Sequence, residues 1–277
     1  GTLANKVDQV AQRFTGLQAI GTGALLAIGN AAVAAGQKMV SNMTAGIRDG
    51  FGEYETEMGS MTTILANTSM KYGTTVADVT KSLAELNTYS DKTIYSFGDM
   101  TRNIGLFTNA GLKLETSTSM IKGFSNAAAA SGTTSQGAAG AAYQLSQALS
   151  AGKITLMDWR SLTNVGMGNA NMKQGIIDIA QAMGTFKTAG INSTAAQKDF
   201  NGSLEKGWLT ADVMSNYLQI MSGDMSDAAM KSIGLSDAQI ASFKQQQAQA
   251  EDAATKVRTF TQLVGTLSEA VGSGWSQ

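Results

Sequence analysis

No proline occurs anywhere in the 277 residues. Average usage of about 5% would place about 14 in a chain of this length. Proline is the residue that most reliably ends a helix, because it lacks an N–H and its ring clashes with the preceding turn. With Ala, Gln, Leu, Met and Lys abundant, helix is left as almost the only regular element. Helices must still end, and that task falls to glycine, of which there are 31. The expected fold is all-α: a compact multi-helix module with Gly-punctuated helical corners, flanked by N- and C-terminal coiled-coil-like helices. The length suffices for one large core or two ordinary domains.

Cysteine and histidine are both absent. Their absence removes disulfides, thiolate nucleophiles, zinc–thiolate sites, the usual general base and the commonest metal ligand. No catalytic, cofactor-binding or metal-ligating residue is expected, and no cofactor. The formal net charge is −1, with no basic stripe to neutralise a phosphate backbone, so sequence-specific nucleic-acid binding is not expected. Charged residues make up only 15% of the chain, against about a quarter in an ordinary domain. Part of this weakly polar surface is expected to be covered by a partner.

Three regions follow from the pattern. Residues 1–50 form a Gly/Ala-rich helical segment in which Leu3, Val7, Val10, Phe14 and Leu17 take the four-three step of a heptad seam. Within it, Gly16–Gln37 carries no charge. That length would span a bilayer, but Gln18, Asn30, Gln37 and the many small residues make insertion marginal. A close-packed helix buried in an oligomer is preferred to a membrane span. Residues 51–235 form the helical module, and residues 236–277 start a long coiled-coil-like helix.

Inside the module, Glu53, Glu55 and Glu57 alternate and so do not share one helical face, which reads as a solvated helix start rather than a carboxylate pair. Thr75 with Asp78 is a capping box for a helix carrying Val79, Leu83 and Leu86. Large apolar residues between Ile94 and Phe124 mark the core, with Gly111 separating two helices and Thr116 or Ser117 capping the second. Ser125–Ala142 reads as two closely packed helices joined by a small-residue loop. It contains no G-x-x-x-x-G-K-[ST] phosphate loop.

The most informative local text runs QLSQALSAGKITLMDWRSLTNV, Gln144–Val165. Gly152 suits the left-handed position past a helix end, Thr155 with Asp158 is a capping box, and Ile154 is placed to fold back on Trp159 or its neighbour as a hydrophobic staple. Gly207, Leu209 and Thr210 repeat that order of glycine stop, apolar staple and hydroxyl cap. Gly234, Leu235 and Ser236 with Gln239 compress it. Between these corners, Gly184–Ser203 reads as a polar loop or mobile excursion. In the last segment Phe243, Ala250, Val257, Val264 and Val271 recur every seventh residue, with Ala253, Phe260 and Leu267 at the complementary position. This is a coiled-coil seam and an oligomer contact, and it is expected to continue in a longer chain.

Five blocks in this order, LNTYSDKTIYSF (Leu86–Phe97), LSQALSAGKITLMDWRSLTNVG (Leu145–Gly166), IIDIAQAMG (Ile176–Gly184), KGWLTADVMSNYL (Lys206–Leu218) and FTQLVGTLSEAVGSGW (Phe260–Trp275), resemble the N-terminal region of tail tape measure proteins of long-tailed phages and prophages of Gram-positive bacteria. The resemblance implies a structural assembly protein, not an enzyme. It would set tail length, occupy the virion tail lumen in a few self-associated copies after assembly in the host cytoplasm, and leave ahead of DNA at infection. It further implies tail tube and tail-tip proteins and a tail assembly chaperone as partners. An alternative role is a membrane-active module that contacts the host envelope. Some such proteins carry wall-cleaving domains elsewhere, and a glycosidase needs two carboxylates in distinct roles. Here only Asp158 beside Trp159 invites that reading, and Asp158 already has a sufficient task as a cap.

Overall fold

The computed structural model describes the backbone of residues 51–93, 95 and 97–274, and the side chains of 60–93, 95 and 97–256. The N-terminal heptads, Gly16–Gln37 and the side chains of Glu53, Glu55 and Glu57 lie outside the described residues. Among the described residues there are 13 α-helices and no strand. They are α1 (Phe51–Tyr72), α2 (Val76–Ser90), α3 (Phe97–Asn109), α4 (Leu114–Ala130), α5 (Ser135–Ser150), α6 (Leu156–Thr163), α7 (Ala170–Ala182), α8 (Thr185–Thr188), α9 (Ser193–Lys198), α10 (Phe200–Ser203), α11 (Ala211–Ser222), α12 (Asp227–Ser232) and α13 (Asp237–Gly274). A single 3₁₀ turn, Leu204–Lys206, follows α10.

Without proline, most of the described helix starts are written by a side chain that satisfies the orphan N–H groups of the first turn, although α4 and α8 start without one. At α2 the Thr75 hydroxyl accepts from the Asp78 N–H while the Asp78 carboxylate accepts from the Thr75 N–H. Hydrogen bonds from Thr75 hold the Asp78 carboxyl below its ordinary value. Thr134, Asn169, Asn192, Thr210 and Ser226 cap α5, α7, α9, α11 and α12 in the same manner.

The module is built around α4. Fourteen of its residues, from Leu114 to Ala129, are buried, so its polar residues, Ser119, Lys122 and Asn126 among them, must find partners inside the module. Around it pack α2, α3, α5, α11 and the first turns of α13. The Ser119 hydroxyl shares a hydrogen bond with that of Ser222 on α11, while two others are satisfied within the helix, Ser117 donating to the Lys113 carbonyl and Thr118 to that of Leu114. These bonds correct the expected cap. The helix opens at Leu114 after Lys113, so Thr116 and Ser117 lie within its first turn.

A second correction concerns Gly184–Ser203. The segment is not an open loop but a chain of short helices, α8 to α10, pinned by buried Phe186, Ala196 and Phe200. Helices this short do not form alone, and their polar composition hid the three anchors that tertiary packing uses.

Candidate functional site

The corners at Gly152 and Gly207 come together in space. Gly152 ends α5 at φ +81°, and Gly207 ends the 3₁₀ turn at φ +72°. The Ile154 N–H donates to the Leu209 carbonyl at 2.8 Å, and the Ala211 N–H donates to the Gly152 carbonyl at 2.9 Å. Between those bonds Lys153 and Thr210 face each other as an isolated antiparallel bridge. The two staple residues, Ile154 and Leu209, are fully buried beneath it. Each corner then opens a helix: Thr155 with Asp158 forms a reciprocal capping box for α6, and the Thr210 hydroxyl accepts from the Val213 N–H for α11. Two phrases more than fifty residues apart thus satisfy one another's backbone groups, which a buried corner requires.

Four aromatic rings lock the other side of this clasp. Trp159 and Phe200 have centroids 4.6 Å apart, Phe186 and Trp208 4.7 Å, and Phe200 and Trp208 5.5 Å in an edge-to-face arrangement. Such pairs add about 0.5–1.5 kcal/mol each beyond their burial. The Trp208 indole N–H donates to the Ser203 hydroxyl at 3.0 Å, whereas the buried Trp159 Nε1 has no hydrogen-bond partner. The Trp159 ring lies so close to Gly168 that a Cβ there would stand 2.8 Å from it. Phe186, Phe200 and Trp208 were not singled out from sequence because their spacing has no single period.

A polar spine crosses the core at α4. Lys122 donates to the carboxylates of Glu85 and Asp224, the latter at 2.8 Å. Burial disfavours its ammonium, but the hydrogen bonds and charges of Asp224 and Glu85 outweigh that and hold its pKa above the ordinary lysine value. One turn on, the Tyr89 hydroxyl donates to Asn126 Oδ1 at 2.6 Å, and Asn126 Nδ2 donates to the Met221 carbonyl at 2.9 Å. Burial raises the Tyr89 and Tyr217 hydroxyls above their usual range. The sequence did hold a signal for Lys122, since it is the one charged residue between Glu115 and Lys153. A lone charge in so long an uncharged stretch has to be solvated by partners from elsewhere.

The seam residues divide. Phe243 is buried in its own chain, where its ring and that of Tyr217 cover Gly175 on α7, and Ala250 is buried further along. This first part of α13 belongs to the core, because α4, α7 and α11 together form a surface for it. Phe243 is therefore a core residue here rather than a contact between copies. The backbone of residues 257–274 continues as helix, while the side chains of Val257, Phe260, Val264, Leu267 and Val271 lie outside the described residues.

The Asp158 carboxylate accepts from the Thr155 N–H and hydroxyl at 2.8 and 2.6 Å, so its hydrogen-bonding capacity serves the cap. Among the described residues no acidic group could hold a metal ion, and no helix is long and apolar enough to cross a membrane.

A family model described as "Tape measure protein" matches residues 53–274. No curated protein and no solved structure matches the chain.

Proposed function

The chain belongs to the tape measure protein family, a structural family of the phage tail, and from that premise we propose that residues 51–274 are a folded helical module joined to a length-setting helix. The observation that carries this reading is the family match across the whole module together with the change in character of α13. Its first turns are spent on the core, and its sequence then runs on as heptads from Val257 to Val271. An α-helix advances about 1.5 Å per residue, so a continuous helix converts chain length into distance. The corners do the opposite, folding some 200 residues back on one another. The module therefore contributes an anchor, and the ruler function falls to helix of the α13 kind.

In this reading the protein has no catalytic role. Its copies associate through the Val257–Val271 seam within the tail lumen, contact tail tube and tail-tip proteins, are delivered by a tail assembly chaperone, and leave ahead of DNA at infection. The resemblance of the five ordered sequence blocks favours a long-tailed phage or prophage of a Gram-positive host. Inserting eight heptads into residues 257–274 tests the ruler directly: tails seen by electron microscopy should lengthen by about 84 Å, and unchanged tails would overturn it.

The uncharged stretch Gly16–Gln37 supports a second role at the host envelope. Co-sedimentation of the chain with liposomes, lost on Ala24→Lys with Ala32→Lys, supports that role. Failure to sediment removes it for this region.

A further inference from the structure

The sequence contains one Asn-Gly step, Asn201–Gly202, and it lies beside the aromatic cluster. Both residues are exposed on α10, a single helical turn. Their neighbours are held on either side. The Phe200 ring is buried against Trp159 and Trp208, and the Ser203 hydroxyl donates to the Phe200 carbonyl at 2.7 Å while accepting from the Trp208 indole. A change in the main chain at Asn201 therefore alters the spacing of two residues that the cluster uses.

An asparagine followed by glycine is chemically labile, because no Cβ obstructs the next backbone nitrogen and the chain turns freely there. That nitrogen loses its proton and attacks the side-chain carbonyl carbon. A bond forms between the Gly202 nitrogen and Asn201 Cγ, the Cγ–Nδ2 bond breaks, and ammonia leaves with the displaced proton. Water then opens the cyclic imide at one of its two carbonyls. The product is aspartate or isoaspartate, and isoaspartate adds a methylene group to the main chain.

The fold opposes each requirement of this reaction. The Gly202 N–H donates to Asp199 Oδ1 at 2.9 Å, so a carboxylate faces the nitrogen that would have to become an anion. The Asn201 carbonyl accepts from the Leu204 N–H, which keeps the peptide between Asn201 and Gly202 in its helical orientation. A helical side chain leans towards the N-terminus, away from the nitrogen that follows it. A Cβ at position 202 would run into the Asp199 carboxylate. The cap that restrains the step thus also requires the glycine that makes it labile.

We propose that Asn201 is a site of spontaneous, backbone-mediated deamidation that the Asp199 cap holds closed, so that it converts only from states in which α10 has opened. A helix of four residues does not form alone, and α10 depends on its cap and on the Phe200 anchor. Local opening of such a turn needs far less than global unfolding. Asp199 acts here as a positioning residue, through the Gly202 N–H. Once isoaspartate has formed, Phe200 and Ser203 stand one methylene group further apart along the chain, and α10 no longer closes as before.

Ageing the full 277-residue chain in mildly alkaline buffer beside a free peptide of residues 197–206 tests this, with conversion at Asn201 followed by peptide mapping in a mass spectrometer. The folded chain should convert at least about tenfold more slowly than the peptide. Asp199→Ala should speed conversion by about fivefold, and Asp199→Ser, which still caps, should stay within about twofold of the parent. Hydrogen exchange at Gly202 should quicken in Asp199→Ala while exchange in α7 is unchanged. Equal rates in the chain and the peptide overturn the proposal, as does an Asp199→Ala chain that converts no faster than the parent. Faster exchange in α7 as well would assign the effect to global unfolding and remove the role of Asp199.

Discussion

Two places in this molecule demand glycine, and they demand it for opposite reasons. At Gly123, in the middle of α4, the backbone is ordinary helix, but α11 crosses so closely that a Cβ would overlap the Leu218 carbonyl oxygen at 1.8 Å. At Gly152, in the corner clasp, nothing lies within 4 Å of where a Cβ would go, but φ is +81°. The first glycine is required by its neighbours and the second by its own backbone. A steric demand from rigid backbone has no inexpensive escape, whereas a conformational demand is limited to the strain of one residue. The core crossing is thus the brittle part of the fold and the corner the tolerant part.

Gly123→Ala tests this contrast most severely. It should cost more than about 3 kcal/mol in urea unfolding, because α4 and α11 must separate to admit one methyl group. A loss under about 1 kcal/mol would mean that the crossing is not close. Next in size is the spine beside that crossing. Glu85→Gln with Asp224→Asn leaves the Lys122 ammonium buried without a counter-charge and should cost about 2–3 kcal/mol, whereas Lys122→Met leaves two half-exposed carboxylates free to rehydrate and should cost about 1 kcal/mol. Equal losses would contradict the asymmetry. The same group sets a pH dependence. Since the folded pKa of Lys122 is raised above its ordinary 10.5, its contribution is complete below that value and is lost as pH rises through the higher folded one. Thermal melts above pH 10.5 should therefore separate the parent chain from Lys122→Met less and less.

The corner should respond more mildly. Gly152→Val is expected to cost about 1–2 kcal/mol and Gly152→Asn clearly less, since asparagine tolerates the left-handed region. If both variants melt like the parent, the positive φ is not a constraint. Smallest of the series, Thr155→Ala should remove about 1 kcal/mol by leaving the first turn of α6 uncapped. Its effect should shrink in an Asp158→Ala background, because the two side chains cap reciprocally.

How much of this was legible depended on how far along the chain each cause lies. Thr75 with Asp78, Thr155 with Asp158, and the stops at Gly152 and Gly207 could be read directly, because a cap and a left-handed turn are settled within four residues. The likeness of the two corners was visible too, but not that their backbones complete each other. That pairing depends on a chain reversal through α7 to α10, a stretch whose buried anchors Phe186 and Phe200 sit among polar residues. Phe243 obeys the heptad as well as Val257 does, and periodicity cannot say whether the surface that receives it belongs to the same chain.

The sequence by itself determined that this protein is all-helical and where several of its helices begin and end, because a cap or a left-handed glycine decides those points locally. The tertiary structure alone decided which glycine is irreplaceable, where the solitary Lys122 finds its carboxylates, and which part of the last helix is core. Those answers depend on distances between residues remote in the chain, which no local preference encodes.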